Sequence, residues 1–224
     1  MILALAGVFA AYLLGSIPFA WLAGRMRGVD LRQHGSGNLG ATNAVRVLGT
    51  RIGVSVYILD TLKGFVAAFV IPRLVEVHPT GLWAIACGVA AIAGHVRPVF
   101  LGFRRGGKGV ATAGGVFLGL AWFPTLAAAL VWMLVFVATG YVSVGSLAAA
   151  VTLPAVLAIW ERDVSRVLLG VAVVLALFVF WTHRANIGRL RRGEEHRFST
   201  GLWRRRSVRP PPPPSPTPSD EAQR

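Results

Sequence analysis

Six long apolar blocks, at residues 2–23, 53–75, 82–101, 110–139, 142–160 and 164–181, constrain what this chain can fold into more than any other feature. A helix crossing a bilayer needs about twenty mainly apolar residues. Inside lipid each such segment has to satisfy its own backbone N–H and C=O groups, which for blocks of this kind means helix. With 54% hydrophobic residues and a mean hydropathy of +0.62, the chain is too apolar for an ordinary soluble core. The expected fold class is an all-α integral membrane protein.

The fourth block is too long for one crossing, and Trp122-Phe123-Pro124 interrupts it. Charge chooses between one kinked crossing and two short ones. If the block crosses twice, three basic regions share one side: the loop with Arg25, Arg27, Arg32, Arg46 and Arg51, the loop with Arg104, Arg105 and Lys108, and the tail with Arg189, Arg191, Arg192, Arg197 and Arg204 to Arg206. The other side keeps sparse, mixed charge, Arg73 with Glu76 and Glu161-Arg162-Asp163 with Arg166. The positive-inside rule then predicts seven transmembrane helices, the N-terminus outside and the C-terminus in the cytoplasm. The first block starts at Met1 with no basic residue before it, so it reads as a retained span rather than a cleaved signal. Residues 1–203 form the expected membrane domain, and 204–224, rich in Pro, Ser and charge, a disordered tail whose Trp203-Arg204-Arg205-Arg206 approach either rests on anionic lipid or serves simply as a topology signal. The net charge of +14 would suggest nucleic acid in a soluble protein. Here the cations sit between apolar blocks, so anionic headgroups or phosphorylated substrates are the expected partners, with no nucleic acid. The one cysteine, Cys87, excludes an intrachain disulfide, and the few scattered carboxylates offer no metal site.

Three polar runs interrupt the apolar pattern on the basic side. The first is Gly35-Ser36-Gly37-Asn38-Leu39-Gly40-Ala41-Thr42-Asn43, with Arg46 three residues on. Glycine lets backbone N–H groups converge on an oxyanion, Ser36, Asn38, Thr42 and Asn43 add uncharged partners, and Arg46 brings a planar fork suited to phosphate. An inter-helix turn is the plainer alternative. The second run, Gly106-Gly107-Lys108-Gly109, leads into an apolar helix, where backbone donors, the helix dipole and a point charge all favour phosphate. Residues 102–108 even match nucleotide-binding P-loop spacing, but Gly109 replaces the Ser or Thr that would hold magnesium and no strand precedes it, so an NTPase is not expected. In the third, Thr182-His183-Arg184-Ala185-Asn186-Ile187-Gly188-Arg189-Leu190, helical spacing puts His183, Asn186 and Arg189 or Leu190 on one side. Ser143 and Ser146 add hydroxyls at the same face. Asp60 and Lys63, three apart within the second block, are expected to pair, with Asp60 a structural partner of a site base such as Lys63 or Arg46. There is no His-x-x-x-x-Asp pair, so the general-base dyad of many glycerolipid acyltransferases is missing.

Taken together, Gly15-Ser16-Ile17-Pro18, residues 34–49, Asp60 to Gly64, Gly94-His95 through Thr112, Ser143 to Ser146 and His183 to Glu195 resemble the bacterial acyl-phosphate:glycerol-3-phosphate acyltransferases, the PlsY family. The resemblance runs to about Phe198, and Arg97 and Arg105 depart from its pattern without removing a motif residue. It implies a seven-helix enzyme of the bacterial cytoplasmic membrane with its site at the cytoplasmic face. It also implies transfer of a fatty acyl group from acyl phosphate to the 1-hydroxyl of sn-glycerol 3-phosphate, giving lysophosphatidic acid and phosphate, with no cofactor. By the same resemblance Ser36, Arg46, His183 and Asn186 are catalytic and the loop of Gly106, Gly107, Lys108 and Gly109 binds glycerol phosphate; Lys108 joins the catalytic set for its charge, and residue chemistry adds Gly35, Gly37, Asn38, Thr42, Asn43 and Ser143 as substrate-binding. Glu195 is structural, and the soluble enzyme that makes acyl phosphate is a possible partner. Two phosphorylated reactants would explain two glycine-rich loops. His183 or a substrate phosphate oxygen serves as the base, and the acyl chain is expected among the small residues of the fourth and fifth blocks. A transporter or channel for a phosphorylated anion is the alternative reading.

Overall fold

The computed structural model describes residues 1–76, 78, 80–160 and 166–198, and among them every regular element is helical. Helices α1 (Ile2–Gly15) and α2 (Phe19–Met26) together form the first span, broken where Pro18 has no N–H to donate to the helix. After the glycine run come the short α3 (Ala41–Leu48) and the second span. That span comprises α4 (Thr50–Phe65), a π-helical turn at Val66–Val70 and α5 (Ile71–Leu74). Pro72 lies just beyond the π turn, whose wider hydrogen-bond spacing absorbs the missing proline donor. Helix α6 (Thr80–Val96) ends in a 3₁₀ turn at Val99–Leu101; α7 (Val110–Leu120), α8 (Trp122–Thr139), α9 (Val142–Trp160), α10 (Arg166–Thr182) and α11 (Arg184–Arg191) complete the order.

The long fourth block does divide, but at Ala121, whose non-helical backbone separates α7 from α8. Pro124 is the third residue of α8, within the first turn, where an intrahelical donor is not needed. At 11 residues α7 rises only about 16 Å, less than a bilayer core. Among the described residues five segments are long and apolar enough to span, and a sixth if α10 and α11 are joined across a 53° bend. The charged run Glu161-Arg162-Asp163 and the basic cluster and tail from residue 203 onward lie outside the described residues.

Packing follows the rule for lipid rather than water. Phe9, Leu130, Val174 and Leu177 face outward and are 60% to 66% exposed, while α1 buries Ala4, Gly7, Ala11 and Gly15. Lipid tails are as apolar as leucine, so helices associate through small residues that let backbones approach. At the α4–α7 crossing a Cβ on Gly115 would stand 1.8 Å from the Thr61 carbonyl oxygen. Short α7 is thereby held in the interior, where Val116 and Phe117 join Leu157 and Leu168 in the main core cluster. It delivers its N-terminus, and Lys108 just before it, to the end of the bundle where the other polar runs emerge.

Candidate active site

The first polar run folds back onto α3 through Asn43. Its Oδ1 accepts the Ser36 N–H at 2.8 Å, and its Nδ2 donates to the Leu31 and His34 carbonyl oxygens, both at 3.1 Å. The side chain is 1% exposed. Asn43 was expected to touch substrate; with both amide hydrogens and the oxygen engaged inside the loop, it acts as the staple that shapes it. Gly35 has φ +63°, and a Cβ there would stand 2.3 Å from Asn43 Oδ1, so glycine is required for the staple to close. The loop consequently turns Ser36 outward.

The second run also differs from its expected use. Gly106 N–H donates to the Val96 carbonyl oxygen at 2.9 Å and Gly107 N–H to that of His95 at 3.2 Å. These bonds satisfy carbonyls that the end of α6 leaves without intrahelical partners. In this conformation the two amides are therefore not donors to a phosphate. The glycines are needed for closeness: a Cβ would meet the His95 carbonyl oxygen at 2.1 Å from Gly106 and His95 Nε2 at 2.0 Å from Gly107. Gly109, at φ +83°, is the N-cap of α7.

Glu195 gathers the third run. It accepts from Asn186 Nδ2 at 2.6 Å and Ser143 Oγ at 3.0 Å through Oε1, and from Arg189 Nε at 2.7 Å through Oε2. Lys108 Nζ donates to Asn186 Oδ1. The chemistry fixes the amide orientation, because a carboxylate only accepts and an ammonium only donates. Burial works to raise the Glu195 pKa, but the hydrogen bonds from Asn186, Arg189 and Ser143 hold it below the usual carboxylate range. Burial, opposed by Glu195 and reinforced by Arg189, Arg105 and Arg46, brings Lys108 down to about 8. Arg46 lies against this cluster. Its guanidinium faces the Phe198 ring at 5.8 Å, and its buried Nε has no hydrogen-bond partner among the described residues. His183, 4% exposed, donates from Nδ1 to the Val179 carbonyl oxygen at 2.8 Å, which leaves the lone pair on Nε2.

Two cavities meet here. A polar one of about 100 Å³ is lined by Ser36, Gly37 and Asn38 from the first run, Arg105 and Lys108 from the second, and Thr182, Ala185, Asn186 and Arg189 from the third. An apolar groove of about 690 Å³ runs between α6 and α10 past Val89, Ile92, Val171, Leu175 and Phe178. Arg105, Lys108 and Thr182 belong to both. This apolar groove lies between the third span and α10, whereas the acyl chain was expected among the fourth and fifth blocks. Of the expected residues, Ser36, Gly37, Asn38, Lys108 and Asn186 line the polar cavity. Gly107 lines the groove; Gly35, Thr42, Arg46, Gly106, Gly109, Ser143, His183 and Glu195 are not among the lining residues of either. Arg105, Thr182 and Arg189 also line the polar cavity; they stand in the polar runs of the sequence without having been assigned to the site, although Arg189 falls three residues after Asn186 on one helix face. Asp60 pairs with Lys63, and with His95 as well, and neither Asp60 nor Lys63 is among the lining residues of the two cavities.

A model of the glycerol-3-phosphate acyltransferase family matches residues 5–193. The chain belongs to this family. Among curated glycerol-3-phosphate acyltransferases, that of Geobacter metallireducens is 49% identical over 197 residues, 88% of this chain and 97% of the relative. That of Aquifex aeolicus is 44% identical over 194 residues, 85% and 97%. A crystal structure of PlsY, an integral membrane glycerol 3-phosphate acyltransferase, in its glycerol 3-phosphate form superposes with a TM-score of 0.81 at 40% identity, covering 90% of this chain and 99% of that one. Its lysophosphatidic acid form gives 0.78 at 40% identity, covering 88% and 96%. As a family member the chain is a multi-pass membrane protein, and Glu195 and the Phe198 contact to Arg46 lie beyond the stretch that the family model matches.

Proposed function

We propose that this protein transfers a fatty acyl group from acyl phosphate to the 1-hydroxyl of sn-glycerol 3-phosphate, releasing lysophosphatidic acid and inorganic phosphate. The observation that carries the reading is the junction at Arg105, Lys108 and Thr182, where a small cationic cavity opens into a large apolar groove. A phosphorylated triol suits the first and an acyl chain the second, so the reacting carbonyl would lie where the two meet. Relatives named for this acyltransferase, and the glycerol 3-phosphate and lysophosphatidic acid forms of the solved neighbour, support it.

An acyl phosphate is already activated, so no covalent enzyme intermediate is needed. The glycerol hydroxyl attacks the carbonyl carbon, a new C–O ester bond forms, the bond to phosphate breaks, and the leaving phosphate takes the electron pair. The hydroxyl proton goes to His183 Nε2 or to a phosphate oxygen. Catalysis then rests on placement and charge: Ser36 and Asn186 position, and Lys108, Arg46, Arg189 and Arg105 oppose substrate charge against the single carboxylate of Glu195. Arg46, with its unpartnered buried Nε, is the cation most in need of an anionic ligand. The same reading takes the chain as seven-spanning, with α7 as the short fourth helix, the N-terminus outside and the site facing the cytoplasm of a bacterial inner membrane. The tail from residue 204 has no part in it.

Purified protein in detergent, mixed with acyl phosphate and glycerol 3-phosphate, should release lysophosphatidic acid and phosphate in equal amounts without a gradient. Parallel reactions with acyl-CoA and acyl-carrier-protein donors should be silent. No product from any donor would overturn the enzyme reading in favour of anion transport; product from a thioester alone would overturn the donor.

A further inference from the structure

Asp60 and Lys63 have a third companion directly beneath the loop that carries Lys108. Asp60 Oδ1 stands 2.8 Å from Lys63 Nζ and 3.4 Å from His95 Nδ1, and all three side chains are at most 7% exposed. Lys63 Nζ also donates to the Ile17 carbonyl oxygen at 2.8 Å, at the break between α1 and α2. The α1–α2 junction, α4 and the last turn of α6 therefore meet at one ionic node. Burying ionisable groups in a span is costly even when they pair. None of the three lines the polar cavity or the groove, so substrate contact does not account for them.

What the node touches is the loop. One edge of the His95 ring faces Asp60; the other, Nε2, lies where a Cβ on Gly107 would approach to 2.0 Å, and the His95 carbonyl oxygen holds the Gly107 N–H. The ring is a spacer between a fixed carboxylate and a backbone that has no side chain to give way. Lys108 is the next residue, and its ammonium reaches Asn186 inside the polar cavity.

We infer that His95, oriented by Asp60 and Lys63, is a positioning residue for acyl transfer: it sets the height and direction of the Gly107–Lys108 segment, and so where the Lys108 ammonium meets substrate phosphate. The inference rests on reading Lys108 as a phosphate-binding group. Purified His95→Ala, His95→Gln, Gly107→Ala and the His95→Ala/Gly107→Ala pair would be assayed for kcat and for KM toward glycerol 3-phosphate, with thermal melts run beside them and Lys108→Ala as reference. His95→Ala should raise KM about tenfold or more with a smaller fall in kcat, and His95→Gln should recover part of the loss. Gly107→Ala should be worse than the pair, since removing the ring removes the atom the new methyl would strike; recovery would be incomplete because the Leu39 carbonyl oxygen is 3.0 Å from the same point. An unchanged KM with only a lower melting temperature would overturn the inference, as would losses in the pair that simply multiply. If His95→Ala does not survive purification, the KM of His95→Gln decides on the same terms. If Lys108→Ala keeps its activity, the site reading falls and this inference falls with it; an essential Lys108 beside an indifferent His95 defeats the inference alone.

Discussion

Asp60 and Glu195 are both buried carboxylates in contact with more than one other group, yet their surroundings differ in one respect that matters. Around Asp60 the partners, Lys63 and His95, are turned inward, and Lys63 is further tied to a backbone carbonyl. Around Glu195 two of the three partners, Asn186 and Arg189, line a cavity, with Ser143 the third, Lys108 one bond further out and Arg46 close enough to feel the Glu195 charge. Charge is nearly closed at the first and left in cationic excess at the second. A closed node supports shape, whereas an open one supports binding. Residue types alone would not separate them, since each is an acid among bases.

The comparison breaks most sharply at Lys108. Lys108→Ala removes the point charge shared by cavity and groove, and kcat/KM should fall about a thousandfold, the upper range for losing one preorganised donor, with the melting temperature little changed. Glu195→Gln is the next lesion on the open side. It keeps the shape, but it strips the compensating charge from Arg189 and Lys108, and kcat/KM should fall about a hundredfold. On the closed side the corresponding Asp60→Asn change should register first as stability, with a rise in KM no larger than that of His95→Ala. Leaving Lys63 buried and unpaired costs about 3 kcal/mol, seen as an apparent melting temperature lower by roughly 6–12 °C. Equal effects of Asp60→Asn and Glu195→Gln on kcat/KM, with equal melts, would erase the distinction.

How far the site was legible depends on whether function needs a residue's type or its free valences. Type was enough for the three polar runs, since Ser36, Lys108 and Asn186 stand out against apolar blocks and do line one cavity. It says less at Asn43, Gly106 and Gly107, whose donors suit phosphate but are engaged in this structure by the loop and by the carbonyls of α6. Sequence cannot show that a hydrogen bond is taken. Helix existence was legible from hydropathy, but the break at Ala121 was not, because proline marks a boundary only to within a turn. The groove between α6 and α10 was missed for a related reason: small residues in the fourth and fifth blocks also serve close helix packing, as at Gly145, where a Cβ would stand 3.0 Å from the Trp132 carbonyl oxygen.

pH offers a gentler probe of the open node. With Lys108 at about 8, its charge is present below that pH and lost as pH rises through it. The kcat/KM profile, which reports the free enzyme, should therefore fall on the alkaline side with a midpoint near 8, by about tenfold per further pH unit. Lys108→Arg should carry that limb upward beyond the assay range, at a lower plateau because a planar fork does not replace a point charge. Glu195→Gln should move it the other way, since Glu195 is the group that raises Lys108. An alkaline limb that ignores both substitutions would remove Lys108 from the phosphate.

The smallest expected effect lies at the edge of the open node, where the chain returns after α11. Phe198 N–H donates to the Gly140 carbonyl oxygen at 2.9 Å, and Arg197 Nε donates to that of Thr139 at 2.9 Å, which lays the segment across the end of α8. The Phe198 ring there covers the Arg46 guanidinium. A contact of this kind contributes about 1 kcal/mol, so Phe198→Ala should lower kcat/KM about fivefold, whereas Phe198→Tyr, which keeps the aromatic face, should not. The expected loss comes from Arg46 gaining freedom before substrate arrives. It should therefore appear in KM for glycerol 3-phosphate and vanish in an Arg46→Ala background, where there is no guanidinium left to hold. A Phe198→Ala loss that persists undiminished in that background would assign the ring to the fold rather than to the open node.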